Sequence, residues 1–547
     1  MILKKHKRIA AFVIAASIVA GLAAGCGVSN RDPSPTPAPA APDGTSGPVK
    51  FTIGVPANPN VEDFKTSWQT TYIEEGCNVD FTFELFPNDG DERNTKMTLL
   101  ITAGTPLPDV LCWGISKAAQ LEYDQAGLLV DLTEYYNNPA LSVNFNAMLG
   151  SQRDVVLGGL ITPTGKIFSG MRYADGSWDA MPFRARVNKV WLDTLGLDKP
   201  KTTDELTDVL RAFVAEDPNG NGKNDEIGMS GSIENWGSDP ICYIMNAFTY
   251  ANVDTNYLHV ENGKVYASYT KPEWKTGLNY IFGLLDEGLL SPLSFSMDKP
   301  QLVTMNSGEV ALIGMVIAGS ASNFGPDIHK EYEMSPPLTG PDGVCLVPFN
   351  APMPGSTWFI TSYCANPEKA FTVADFCYEE WNNWRFQSGP LENWLIEDAA
   401  ELKKYHDAGK TNVRYLVDPS KNAWGKPGNL IWQGLEPCLF IDEDDMTLAT
   451  LLPEGESYIP NESDFFIELY PPHKPKEFIA ALPHTVEETE ELSLLATNIN
   501  EHVKQSMVAF VTGNRPLSDF DAFLKEVDQA GLERYIQIVQ AAHDRTK

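Results

Sequence analysis

Phe51, Ile53 and Val55 alternate with other positions, the period-two mark of a strand with one buried face. Phe64, Trp68 and Tyr72 follow at a spacing of four, a helical stripe that Gly76 is expected to stop. Val79, Phe81, Phe83 and Leu85 alternate again. Met97, Leu100 and Ile101 mark a second helix running to about Gly104, and Pro106 confirms its end. Pro108 to Trp113 then forms a short buried strand. Strand, helix, strand, helix, strand predicts a parallel sheet covered by helices on both faces, an α/β unit. Sheets of this kind bind ligands beyond the carboxyl ends of their strands, and Trp113 stands at such an end.

A second α/β unit is expected from near residue 167. Thr202 and Glu205 form a capping-box pair, followed by a stripe of Leu206, Val209, Leu210, Phe213 and Val214. Leu492, Leu495, Ile499, Val503, Met507 and Phe510 predict a long helix near the C-terminus. Two shorter ones follow, around Phe520–Val527 and Leu532–Val539. At 547 residues the chain is too long for a single core.

The N-terminus is an address. Lys4, Lys5, Lys7 and Arg8 precede an apolar run, Ile9–Gly25, that closes on Cys26, the form of an export signal. Its ending resembles a bacterial lipobox, in which the cysteine is lipidated and becomes the mature N-terminus. One departure is that the leucine sits at position 22, with Ala23 in its usual place. Prolines at 33, 35, 37, 39, 42 and 48 then keep residues 28–48 extended, a tether between membrane and body. The seven other cysteines show no zinc spacing and predict no disulfide framework.

Charge narrows the function. The net charge of −32 argues against nucleic-acid binding and weakly against polyanionic ligands, unless a local basic pocket overrides the field.

The sharpest local signal runs from Asp217 to Glu226. Asp217, Asn219 and Asn221 place oxygens at alternate positions, and Gly222 occupies the sixth, as an EF-hand loop begins. The Lys223 carbonyl would follow as the next ligand. The glutamate expected at position twelve is Gly228, so Asp225 and Glu226 are expected to complete a shell around Ca²⁺. A plain turn capping the preceding helix is the alternative.

The stretch Thr98 to Val110, with Gly104, Pro106 and Pro108-Asp109-Val110, resembles a motif of the extracellular solute-binding proteins of ABC importers. Gly127-Leu128-Leu129-Val130-Asp131-Leu132-Thr133 is similar to the family motif that follows it. Val190–Leu197, the 200–205 cap and the calcium loop resemble the large oligosaccharide-binding lipoproteins of that family. So do Gly288–Pro292, Asn366–Ala370 and Phe510–Gly513. The resemblance implies a type II periplasmic-binding-protein fold: two α/β lobes around a ligand cleft. By analogy residues 1–25 would be signal peptide and 26–48 lipid-anchored linker. Lobe one would take 49–166 and 341–405, and lobe two 167–340 and 406–547.

The implied function is capture of a small, neutral oligosaccharide for an ABC permease. The chain would be a monomer, bound to the outer face of the cytoplasmic membrane only through its lipid. Sugar sites need aromatic plates beside hydroxyl-binding polar groups. Trp191, Trp274, Trp381 and Trp384 fall on helix faces and read as core. Trp113, Trp236, Trp358, Trp394 and Trp432 fall at a strand end or in polar loops and are the candidate plates. Arg172 and Tyr173 lie near the expected lobe crossing as polar partners. Packing or plain surface exposure is the alternative for each. A peptide or other small solute is the runner-up ligand. An enzyme is disfavoured. No GxSxG or HExxH occurs, Gly409-Lys410-Thr411 lacks the phosphate loop's first glycine, and Asp442–Asp445 reads as a solvated acidic loop.

Overall fold

A computed structural model describes residues 47–325, 327–393, 423, 425–441, 466, 468–480 and 482–546. The export segment with Cys26, Trp394, Gly409–Thr411 and Asp442–Asp445 lie outside the described residues. The strands, in chain order, are β1 (Val49–Pro56), β2 (Val79–Phe86), β3 (Val110–Leu111), β4 (Ser169–Ala174), β5 (Ala185–Asn188), β6 (Ile227–Ser230), β7 (Leu258–Glu261), β8 (Lys264–Ala267), β9 (Ile313–Ile317), β10 (Tyr332–Ser335), β11 (Gly355–Ile360) and β12 (Cys438–Phe440).

Two sheets carry the two lobes. The first has six strands in the order β12-β4-β11-β3-β1-β2, and β11 alone runs against its neighbours. The second has four, β10-β5-β9-β6, with β5 antiparallel to both neighbours. Each lobe has its own apolar core. Phe51, Phe81, Val110, Trp358 and Trp432 belong to the first, and Trp191, Phe213, Met229, Trp274 and Ile313 to the second.

The opening βαβαβ unit stands as the hydrophobic pattern predicts, with β1 between parallel β2 and β3. Its first helix is Trp68–Cys77, capped by Ser67 and ended by Asn78 in the left-handed region. Gly76 therefore does not stop it. A Cβ there would come within 2.5 Å of Phe376 Cζ, so this glycine serves close packing. The Thr202–Glu205 capping box opens the helix Thr203–Ala215. Near the C-terminus the helices are Val486–Val511, Phe520–Gln529 and Leu532–Asp544. No helix of the described residues is long and apolar enough to cross a membrane.

The expected lobe boundaries need two corrections. β4, assigned to lobe two, pairs with β11 and sits inside the first sheet. β12, also assigned to lobe two, pairs with β4. The segment leading to β12 is bound to lobe one as well: the amides of Trp68 and Gln69 donate to Asn429 and Leu430 carbonyls. Crossings therefore leave β4 for β5, β10 for β11, and β12 toward Phe466. Side chains of all three meet in one small cluster of Ala180, Met181, Met334, Val347, Phe349, Phe466 and Tyr470. The Tyr470 hydroxyl donates to the Ser335 carbonyl at 2.9 Å and accepts from the Ala185 amide at 3.1 Å.

Glu436, just before β12, is fully buried, and neither carboxylate oxygen has a hydrogen-bond partner. Burial pushes its pKa up; the nearby Arg172 charge opposes this without cancelling it. A raised folded pKa makes ionisation a cost to the native state above that pKa, and the cost disappears as pH falls below the unfolded value of about 4.3. Glu436→Gln is therefore expected to raise Tm at pH 7–8. The gain should shrink steadily toward pH 4, as followed by thermal melts across that range.

Candidate functional site

The strand directions define which edges face each other. In the first sheet β1, β2, β3, β4 and β12 end, and β11 begins, on one edge; in the second, β6, β9 and β10 end, and β5 begins, on one edge. Every crossing joins these two edges, so the loops leaving them are the ones available to a ligand between lobes.

On lobe two this edge carries an aromatic and amide wall. Trp236 lies in the loop after β6 and is 46% exposed. Its ring rests against Gly319, just beyond β9, where a Cβ would come within 2.8 Å of the indole. Gly237, at φ +64°, lets the loop pass so near Pro182 that a Cβ would meet that carbonyl at 2.5 Å. The Asn235 amide donates to Asn323 Oδ1 at 2.9 Å. Beside them, Arg184 is buried with its guanidinium 3.6 Å from the Trp178 ring centroid. Its two terminal nitrogens donate to the Trp178 and Gly319 carbonyls. Phe466, from the third crossing, packs edge-on to Trp178 at 5.3 Å. A cation held over an indole and tied to two carbonyls fixes this corner at both ends.

The other sequence candidates separate sharply. Trp113 is where the strand-end argument places it, but it is only 5% exposed, packed on Phe86 at 4.9 Å with the Arg93 guanidinium 5.8 Å from its ring. Tyr173 is largely buried and lines a cavity between the lobes. Arg172 donates to the Gly434 carbonyl at 3.0 Å, and its charge bears on Glu436. Trp358 and Trp432 are not cleft plates. At 1% and 0% exposure they are core residues of lobe one. Trp358 sits at φ +56° where the β11–β4 register slips, so a bulge turns its ring inward, and Nε1 donates to the Ala370 carbonyl. The Trp432 indole donates to Thr70 Oγ1 at 2.9 Å and is ringed by Phe64, Phe81 and Phe83. Trp178 and Arg184 are not among the residues that the sequence pattern singles out. Their signal was a tryptophan between glycine, serine and aspartates, Asp175-Gly176-Ser177-Trp178-Asp179, just after Arg172 and Tyr173 near the expected lobe crossing.

The 217–226 loop is folded by its own side chains. Asp217 Oδ1 and Asn219 Oδ1 both accept from the Asn221 amide, and Asp217 Oδ2 accepts from Gly222. Asn221 Oδ1 accepts from the Lys223 amide, and Asn221 Nδ2 donates to Asp225. Gly220 and Gly222 have φ of +67° and +75°, the conformation glycine supplies. Glu226 Oε1 is buried with no hydrogen-bond partner. Among the described residues no three His, Cys, Asp or Glu side chains are gathered as around a metal ion. The loop's oxygens are instead a mixture of carboxylate, amide and carbonyl, which suits a hard cation.

Two α/β lobes, joined by three crossings and facing each other across their strand ends, define a two-lobed binding protein. The family described as bacterial extracellular solute-binding protein matches residues 58–382, more than half of the chain, and the chain belongs to that family. It is 25% identical over 522 residues to the fructooligosaccharide ABC transporter substrate-binding protein FusA of Streptococcus pneumoniae, covering 91% of this chain and 90% of FusA. Lipoprotein LipO of Bacillus subtilis is 36% identical over 112 residues, 20% of this chain and 21% of LipO. The structure of S. pneumoniae FusA in complex with kestose matches with a TM-score of 0.75 at 21% identity, covering 91% of this chain and 99% of that one. A FusA EF-hand mutant in complex with fructo-nystose matches with 0.73 at 20% identity and the same coverage. At these identities the structures establish the likeness of fold.

Trp236 and Trp432 are expected to respond oppositely to truncation. Trp236→Ala should weaken solute binding by about 2–4 kcal/mol, roughly 30- to 1000-fold in Kd, with little change in stability. Trp432→Ala should cost about 3–5 kcal/mol of stability and touch affinity only indirectly. Unfolding curves and solute titrations on both variants check this.

Proposed function

We propose that the protein captures a small oligosaccharide between its lobes and delivers it to the permease of an ABC importer. One observation carries this reading. Trp236 exposes an indole face, seated on Gly319 beside the Asn235–Asn323 amide pair. A pyranose or furanose offers a flat C–H face to such a plate and a hydroxyl to the half-buried Asn235 side-chain oxygen, which buried Asn323 holds in place; stacking removes apolar area from water at about 25 cal/mol per Å². The relative FusA, named for fructooligosaccharides and an ABC transporter, supports the same direction. Thermal shift against neutral oligosaccharides, fructooligosaccharides included, and against short peptides tests it. A rise in Tm with peptides and with no sugar would overturn it in favour of the peptide reading.

A structural Ca²⁺ is proposed in the 217–226 loop, held by Asp217, Asn219, Asn221, the Lys223 carbonyl, Asp225 and Glu226. The loop ties the end of the Thr203–Ala215 helix to the chain leading into β9, since Asn219 Nδ2 donates to the Ala311 carbonyl. The solved FusA EF-hand mutant supports a loop of this kind in that relative. A cation that binds only the native state stabilises it by about 2.7 kcal/mol at a hundredfold excess over Kd. EDTA should lower Tm, and calcium should restore it. An unchanged melt, with no metal by elemental analysis, would reject the site.

Anchoring is proposed through a lipid on Cys26, with residues 28–48 as the tether; the resemblance to LipO points the same way. Cells fed labelled fatty acid should yield labelled wild-type protein and unlabelled Cys26→Ala.

A further inference from the structure

The −32 charge of the chain disfavours acidic ligands on average, but one end of the interlobe space has the opposite local character. There, a cavity of about 800 Å³ is lined from lobe one by Lys117, Ile161 and Tyr173, and from the C-terminal part of the chain by His484 and Arg545. Lys117 opens the helix Lys117–Gln125 that follows β3, so it stands on the lobe-facing edge.

The charges in this cavity do not balance locally. Lys117 Nζ donates to the Ile161 carbonyl at 3.1 Å, a neutral acceptor. Burial pulls its pKa down, and no carboxylate counters that shift. Of the acids nearby, Asp154 is held by Arg153 at 2.8 Å. Glu488 is held by Arg545 and by the backbone of its own capping box with Thr485. His484 Nδ1 is buried without a hydrogen-bond partner and stays 3.8 Å from Glu488, beyond bonding reach. Burial, Arg545 and Lys117 all push its imidazole toward the neutral form, and Glu488 alone resists. A neutral imidazole and a partly desolvated ammonium, one from each side, thus face one space.

We propose that this cavity is a carboxylate-binding site, in which Lys117 supplies the charge and the cavity-lining edge of the His484 ring lies against the bound group. Resting on the oligosaccharide reading above, it gives the cleft a preference for a sugar chain bearing a uronate residue at this end. A carboxylate would bridge the lobes by meeting a cation on one and an imidazole on the other. Apolar walls suit this, because a charge-assisted hydrogen bond gains strength as water is excluded. A free small carboxylate has the same chemistry, so the experiment separates the two sources.

Binding of trigalacturonate, its methyl ester and sodium acetate is measured by calorimetry on the whole protein, wild type and Lys117→Gln, with Lys117→Arg as the charge-conserving control. Tm is followed for each variant to show that it folds. The expected result is at least tenfold tighter binding of the acid than of its ester, lost in Lys117→Gln and kept in part by Lys117→Arg. Saturable acetate binding that needs Lys117, with acid and ester bound alike, would assign the site to free carboxylates. Equal binding of acid and ester with no acetate effect, or a preference that survives Lys117→Gln, overturns the proposal. In that case neutral sugars that still bind leave the oligosaccharide reading intact, whereas failure of every saccharide removes both.

Discussion

Everything in this molecule depends on two lobes that do not share a core. Lobe one buries its aromatics around Phe51, Phe81 and Trp432, and lobe two around Trp191, Phe213 and Trp274. Neither core packs into the other, so the relation between lobes rests on the three crossings, the seven-residue cluster in which they meet, and the contact of helix Lys117–Gln125 of lobe one with helix Val486–Val511 of lobe two. Tyr470 is central to that cluster, since one hydroxyl bonds to the chain just inside β5 and to the end of β10. Both bonds go to paired strands of lobe two, so Tyr470 ties the chain returning from β12 to that lobe's edge, and the apolar cluster around it is a small contact between the lobes rather than a large locking surface.

The same arrangement explains why the chemistry gathers at the strand ends. Loops there need only polar, close-packed turns, and glycines at 237 and 319 allow backbone and indole to approach each other as side chains elsewhere could not. Arg184 then fixes Trp178 through its carbonyl and its ring face at once. The wall on lobe two is therefore rigid for a reason distinct from its composition: its charged member is buried, and its ring contact and two terminal nitrogens hold the others.

Much of this was legible in the chain, and the exceptions have physical causes. Period-two and period-four patterns report local burial, so the opening βαβαβ unit, the 203–215 helix and the three C-terminal helices emerged directly. Long-range pairing leaves no such period. β4 and β12 join the first sheet through partners far along the chain, and the boundary argument misplaced both. Trp358 and Trp432 misled for a related reason. Polar neighbours suggest exposure, but a bulge rotates Trp358 inward, and Trp432 is surrounded by phenylalanines supplied by residues 64–83. Gly76 looked like a helix stop because the phenylalanine that needs its space lies three hundred residues away at Phe376.

The placement of β12 also sets the order in which the protein can come into being. Cys438 pairs with Arg172, and β11 lies on the other side of β4, so the first sheet stays open until its last strand has been made. The second core waits longer still, because Ile499, Phe523 and Val539 belong to it. Closing such distant contacts costs chain entropy that nothing local offsets in advance. A nascent chain therefore completes its first sheet only once Phe440 has been made and its second core only near the C-terminus, so neither lobe is finished early enough to template the other during synthesis.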